Sequence, residues 1–185
     1  DEETSTDVEK KNFMRDAKEA EIVLQGVYRS TIEDGQYGYH LSILFNLGTD
    51  MEQAEGNSTE NYRIIPANAF PTTQSEVQTT WSSLYAGVYN ANDFLERISS
   101  KINTYSDTDR QLATLYIAEA RALRAMFYFE LVRRYGNIAL MTNTEMSKQD
   151  PRTFVQVKPE KVYEFIEDDL LYASRILPYA QDDQY

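Results

Sequence analysis

The chain has 185 residues, 42% of them hydrophobic, which is enough apolar material for one domain with a real core. Thirty acidic against eighteen basic side chains give a net charge of -12, which repels nucleic-acid phosphates and anionic lipid surfaces alike. The absence of cysteine excludes disulfides, zinc-thiolate sites and thiol nucleophiles together.

The longest apolar runs, such as Ile22–Leu24 and Ala125–Phe127, fall far short of the ~20 residues a membrane-spanning helix needs. The opening stretch Asp1–Asp16 is polar, with neither the apolar run nor the small-residue cleavage site of a secretion signal. Residues 1–15 are therefore expected to form a flexible segment, from which any targeting signal has already been removed, ahead of one helical domain over 16–185.

The first predicted helix spans roughly Asp16–Thr31, with Ala20, Val23, Leu24 and Val27 on one face, and Asp34-Gly35 is its stop signal. From Gly35 to Thr80 the helical period fades among Gly, Asn, Pro and Thr. Within that segment Leu41–Leu47 fits either a helix or a buried extended stretch. A loop of this length inside a domain is uncommon and often functional, so it is the first place to look for a site.

The second helix is the clearest, with Trp81, Leu84, Tyr85, Val88, Asn92, Leu95 and Ile98 recurring at three and four residues behind an acidic start at Glu76. Ser106 or Asp107 then suits the N-cap of a third helix running from about Arg110 to Tyr135. Gly136 is its C-cap, and Arg133 and Arg134 lie in its last turn. Proline at the start marks a fourth helix opening at Lys158-Pro159, with Val162, Ile166, Leu170, Ala173 and Leu177 as its apolar face and Pro178 beyond its end.

The pattern predicts an all-α fold of tetratricopeptide-like helical hairpins carrying a long irregular loop insertion. Helices two and three form its central pair, and Ala118, Ala120, Ala122 and Ala125 allow close approach. No 34-residue repeat is evident.

Chemistry-bearing constellations are sparse. The single histidine, His40, has no recognisable partner base or nucleophile, so no catalytic residue is expected. Asp168 and Asp169, adjacent on a helix, point about 100° apart. That reads as one solvated carboxylate and one cap or ion-pair partner rather than a glycosidase pair. Asp107-Thr108-Asp109 lacks the glycine and distal glutamate of a calcium loop, so no metal site and no cofactor are expected. Trp81, Tyr85, Tyr89, Phe127, Tyr128 and Tyr135 sit on helical stripes and read as core or interhelix residues first, and as sugar platforms second.

The segment Ala118–Leu140, AEARALRAMFYFELVRRYGNIAL, resembles the signature of the SusD-like (SusD/RagB) nutrient-binding lipoproteins of the Bacteroidetes outer membrane. Gly26-Val27-Tyr28, WSSLYAGVYNANDFLERI over 81–98 and VYEFIEDDLLYASRILP over 162–178 agree with that family in type and order. Ala139 stands where the family usually has proline. Family members are much longer, so the likeness is to their N-terminal portion.

The resemblance implies a non-catalytic cell-surface component of oligosaccharide uptake. It would be held by a lipidated N-terminal cysteine absent from this chain, and would work with a SusC-type TonB-dependent outer-membrane transporter. Thr49-Asp50 is similar to the family's Thr-Asp-Glu turn, and the stretch between that turn and the Trp-x2-Leu-Tyr helix often contributes ligand contacts. By position the expected ligand-binding residues are Asp50, Arg63, Asn68 and Phe70, with Tyr37 as an outlying aromatic. The alternative reading is a tetratricopeptide-type protein-interaction scaffold, which requires an unfilled groove between helices two and three.

Overall fold

The computed structural model describes residues 13–44 and 73–179. In chain order its elements are α1 (Ala17–Ser30), α2 (His40–Leu44), α3 (Ser75–Lys101), a 3-10 turn (Ile102–Thr104), α4 (Asp107–Tyr135), β1 (Ile138–Ala139), α5 (Thr144–Ser147), a second 3-10 turn (Pro151–Thr153), β2 (Gln156–Val157) and α6 (Pro159–Ile176). The fold is all-α as expected. Its only sheet among the described residues is a two-stranded antiparallel one that pairs Ile138 with Val157 and Ala139 with Gln156.

Local sequence signals explain where the helices start and stop. Ser106 is the N-cap of α4, its Oγ accepting from the Asp109 backbone N–H at 3.1 Å. Gly136 ends α4 with φ 69°, a backbone that L side chains avoid, and its N–H returns to the Val132 carbonyl. Pro159 opens α6 where its missing N–H has no helical partner to lose. Arg134 donates to the Glu130 carbonyl at 3.0 Å and is also ion-paired with the buried Glu130 carboxylate, so this last-turn cation serves both the helix terminus and a side chain.

The chain divides into two packed units, Tyr28–Gly87 in one and Asp1–Val27 with Val88–Tyr185 in the other. In the second unit α4 packs closely on α6. Arg121 lies over the Tyr172 ring, Arg124 reaches Asp169 and Phe165, and Tyr128 meets Phe165 edge-on. As the number on α4 rises the number on α6 falls, so the two helices run antiparallel. Buried Ala113, Ala118, Ala120 and Ala125 give α4 its close-packing positions, and Phe94, Phe127 and Tyr128 are fully buried. Each such large side chain contributes roughly 1.5–3 kcal/mol of burial.

The apolar stripe of α6 differs from the expected one. Val162, Ile166 and Ala173 are buried, but Leu170 is 47% exposed, and the position facing α4 between Ile166 and Ala173 belongs to Asp169, which is fully buried. Asp168 is exposed, as a solvated neighbour should be.

The Asp169 carboxylate is satisfied by two arginines. Arg124 Nε donates to Oδ2 at 2.8 Å and its Nη2 to Oδ1 at 2.9 Å, while Arg121 Nε donates to Oδ1 at 2.7 Å. The remaining arm of Arg124, Nη1, donates to Asn92 Oδ1 on α3 at 2.8 Å. Asn92 Nδ2 in turn donates to the Met141 carbonyl at 2.9 Å. That carbonyl also accepts from the Tyr128 hydroxyl at 2.6 Å, and the hydroxyl accepts from the Met141 N–H at 2.8 Å. Three helices and the strand segment are thereby joined through consecutive hydrogen bonds.

The predicted N-terminal segment 1–15 lies outside the described residues except for Phe13, Met14 and Arg15. Of these Met14 is fully buried, and its carbonyl accepts from the Tyr105 hydroxyl at 2.6 Å.

Removing a buried charge partner leaves the other charge stranded, at a cost of about 3–5 kcal/mol. Asp169→Ala is therefore expected to lower the urea midpoint by an amount equivalent to that loss, whereas Asp168→Ala leaves the midpoint within experimental error.

Candidate functional site

The unit Tyr28–Gly87 holds a shallow concave surface lined by hydroxyl- and amide-bearing side chains. It is built on the first turns of α3. Ser75, Gln78, Thr79, Ser82 and Ser83 line an open depression of about 540 Å³. Their spacing of i, i+3, i+4, i+7 and i+8 puts all five on one helix face, opposite the face whose Leu84 is buried.

A turn from Thr31 to Tyr39 presses on one flank of this strip. Gly35 makes the approach possible, because a Cβ there would sit 2.6 Å from Ser83 Cβ and 2.9 Å from the Thr79 carbonyl. Beside it the buried Gln36 donates from Nε2 to the Ser83 carbonyl at 2.9 Å, and His40 Nδ1 lies 3.2 Å from Thr80 Oγ1. At about 100° per residue, Trp81 and Tyr85 project from the opposite flank of the strip. They are half-buried, with ring centroids 4.9 Å apart and tilted by 53°. Trp81 is thus neither sunk in the core nor isolated in solvent.

Glu76 occupies the first turn of α3, where the helix dipole favours an anion. Partial burial pushes its carboxyl upward, but its own backbone N–H, Gln74 Nε2, Ser75 Oγ (2.9 Å) and the nearby His40 outweigh that. The group is held below the ordinary carboxylate range.

Of the residues expected to bind ligand, Asp50, Arg63, Asn68 and Phe70 lie outside the described residues. Tyr37 is described: it is 42% exposed, its N–H donates to the Thr31 carbonyl at 3.0 Å, and its own carbonyl accepts from Ser42 Oγ at 2.7 Å. Tyr37 therefore belongs to the turn that borders the strip. The strip residues themselves escaped the sequence reading. Their signal was present in the polar periodicity opposite Leu84, overlooked because Ser, Thr and Gln on a helix ordinarily mean a solvated face.

No described helix is long and apolar enough to cross a membrane. His, Asp and Glu form no cluster with metal-binding arrangement among the described residues.

Comparison with known proteins adds the following. Residues 3–185 match the model of a SusD-like family described as starch-binding and associating with the outer membrane. A crystal structure of a SusD homologue from Bacteroides thetaiotaomicron superimposes with a TM-score of 0.92 at 69% identity, covering 98% of this chain and 34% of that one. A laminarin-binding SusD-like protein superimposes with a TM-score of 0.74 at 28% identity, covering 90% of this chain and 35% of its own. SusD-like protein P25 of Formosa agariphila is 24% identical over 177 residues, 91% of this chain and 32% of that protein. The chain thus spans about a third of the length of these relatives.

Two outcomes follow from the geometry. Gly35→Ala is expected to displace the 31–39 turn from α3, seen as faster amide exchange at Gln36 and Ser83 while the α4 amides keep their protection. For Glu76, a carboxyl held below its unfolded value near 4.5 contributes stability that is present above that value and lost as pH falls through the lower folded one. Amide protection of the first turn of α3 should therefore survive to below pH 4.5 and then fall, a pH dependence that Glu76→Gln abolishes.

Proposed function

The chain belongs to the SusD-like family, and from that premise we propose that it forms the N-terminal helical part, residues 16–185, of a non-catalytic surface protein that binds oligosaccharides for uptake. The observation that carries this reading is the hydroxyl- and amide-lined strip of α3 with the Trp81–Tyr85 pair on its flank. Sugar rings present C–H faces that stack on aromatic rings, and hydroxyls that exchange hydrogen bonds with neutral side chains. The laminarin-binding relative with the same fold supports a carbohydrate as ligand.

The protein is anchored at the outer-membrane surface by a lipidated N-terminal cysteine preceding this chain, and works with a SusC-type TonB-dependent transporter. Asp50, Arg63, Asn68, Phe70 and Tyr37 remain the proposed contacts from the 35–80 segment, joined now by Gln78, Ser82, Trp81 and Tyr85.

The scaffold alternative needs an empty groove between α3 and α4. Against it stand the buried Met141, whose carbonyl accepts from Asn92 of α3 and Tyr128 of α4, and the packing of α6 on α4.

Calorimetry on the full-length protein with neutral oligosaccharides is expected to show saturable binding that Tyr85→Ala weakens by about threefold to tenfold, the scale of one aromatic contact. Saturable binding of another nutrient class with no response to any glycan would refute the carbohydrate part. Steady release of sugar products would refute the non-catalytic part.

A further inference from the structure

We propose that the α3 strip selects neutral oligosaccharides over acidic ones, with Glu76 as the residue that excludes sugars bearing carboxylate or sulfate groups. The inference rests on the glycan-binding reading above and specifies its substrate class.

Three observations carry it. First, the five residues that line the depression are all uncharged, so no lysine or arginine among them is available to neutralise an anionic sugar. Hydroxyls and an amide are matched to hydroxyl groups of a neutral ring, whereas a carboxylate entering the strip would lose water without gaining a cation.

Second, the feature of the first turn of α3 that could attract an anion is already occupied. A helix N-terminus presents free N–H groups and the positive end of the dipole, which ordinarily favour phosphate, sulfate or carboxylate. Here the Glu76 carboxylate takes that place, bonded by Gln74 and Ser75 and held ionised by them. The protein's own anion fills the position, and its charge then repels a second one.

Third, the surrounding sequence reinforces the sign. Among the described residues between Tyr28 and Gly87 the acidic ones are Glu33, Asp34 and Glu76, against Arg29. Arg29 lies 3.9 Å from Glu33, which offsets its charge. The buried Gln36, fixed by its amide N on the Ser83 carbonyl, adds an Oε1 with no donor among the described residues, a further acceptor rather than a cation.

The test is calorimetry on the full-length protein with two probes of equal length, a neutral gluco-oligosaccharide and an oligogalacturonate, at low and moderate salt. The neutral oligomer is expected to bind at least tenfold more tightly. Glu76→Gln should narrow that ratio on the order of tenfold at low salt, the effect of one nearby charge in partly solvated surroundings, and less at higher salt. Ser82→Lys, which adds a cation to an exposed strip position without touching Glu76, should narrow the ratio as well, so the result does not depend on one variant folding. Equal binding of the two probes by the wild-type protein overturns the selectivity alone, as does a ratio indifferent to both substitutions. Binding of the oligogalacturonate alone also overturns the selectivity, and failure of every neutral and acidic glycan tried overturns the glycan reading with it.

Discussion

A single carboxylate organises the larger unit. Asp169 sits at a position on α6 where helical periodicity calls for an apolar side chain, and it has no contact with water. An isolated charge there would cost several kcal/mol in lost hydration. Two guanidinium groups on α4 make the position tenable, and the geometry they require is strict. Arg124 grips both oxygens in a fork, so α6 can neither rotate nor slide against α4 without breaking paired bonds. Because the same arginine holds Asn92, and Asn92 holds Met141, the constraint passes on to α3 and to the chain beyond Gly136. Apolar packing supplies the bulk of the burial, while this network sets the register in which it occurs.

That division explains what could be read from the sequence. Helix limits at Ser106, Gly136 and Pro159 depend on the conformational preferences of single residues, and these are local. The sharing of roles between Asp168 and Asp169 was also legible, since adjacent helical residues cannot face the same way. That both leucines of α6 lie outside was not. Leu170 fits the apolar period as well as any residue, and only the arginines of a distant helix explain why Asp169 is turned inward and Leu170 outward. The strip on α3 was hidden for a similar reason. Ser75, Gln78, Thr79, Ser82 and Ser83 are unremarkable one by one, and they become a candidate site only with the turn that Gly35 lets settle beside them. Asp50, Arg63, Asn68 and Phe70 had only position in a long segment to recommend them, and position carries no geometry.

The family signature Ala118–Leu140 and the residues proposed to meet ligand fall in different units, although Trp81, Ser82 and Tyr85 also belong to a segment that agrees with the family. Ala118–Leu140, with its alanines, arginines and Tyr128, lies in the unit that contains α4 and α6, while the strip, its aromatic pair and the bordering turn lie within Tyr28–Gly87. Constraints on the first set arise from close helix contact and from one buried ion network. Constraints on the second arise from whatever must be bound. A lineage can therefore hold its helical frame nearly fixed while the strip changes its hydrogen-bonding character, and likeness in the frame gives little information about the ligand.

The Tyr128–Met141 clip also bears on the order of assembly. Its hydroxyl closes a loop of 13 residues, whereas Arg124 and Asp169 are 45 residues apart. Chain entropy alone favours the shorter closure by about 1 kcal/mol, so the hairpin of α4 with the 138–141 segment can form before α6 docks. During that interval the face of α4 awaiting α6 displays two guanidinium groups beside its aromatic side chains. Hydrated arginines make a poor surface for self-association, so in that order of assembly the pair that later fixes the register would also disfavour association before Asp169 docks.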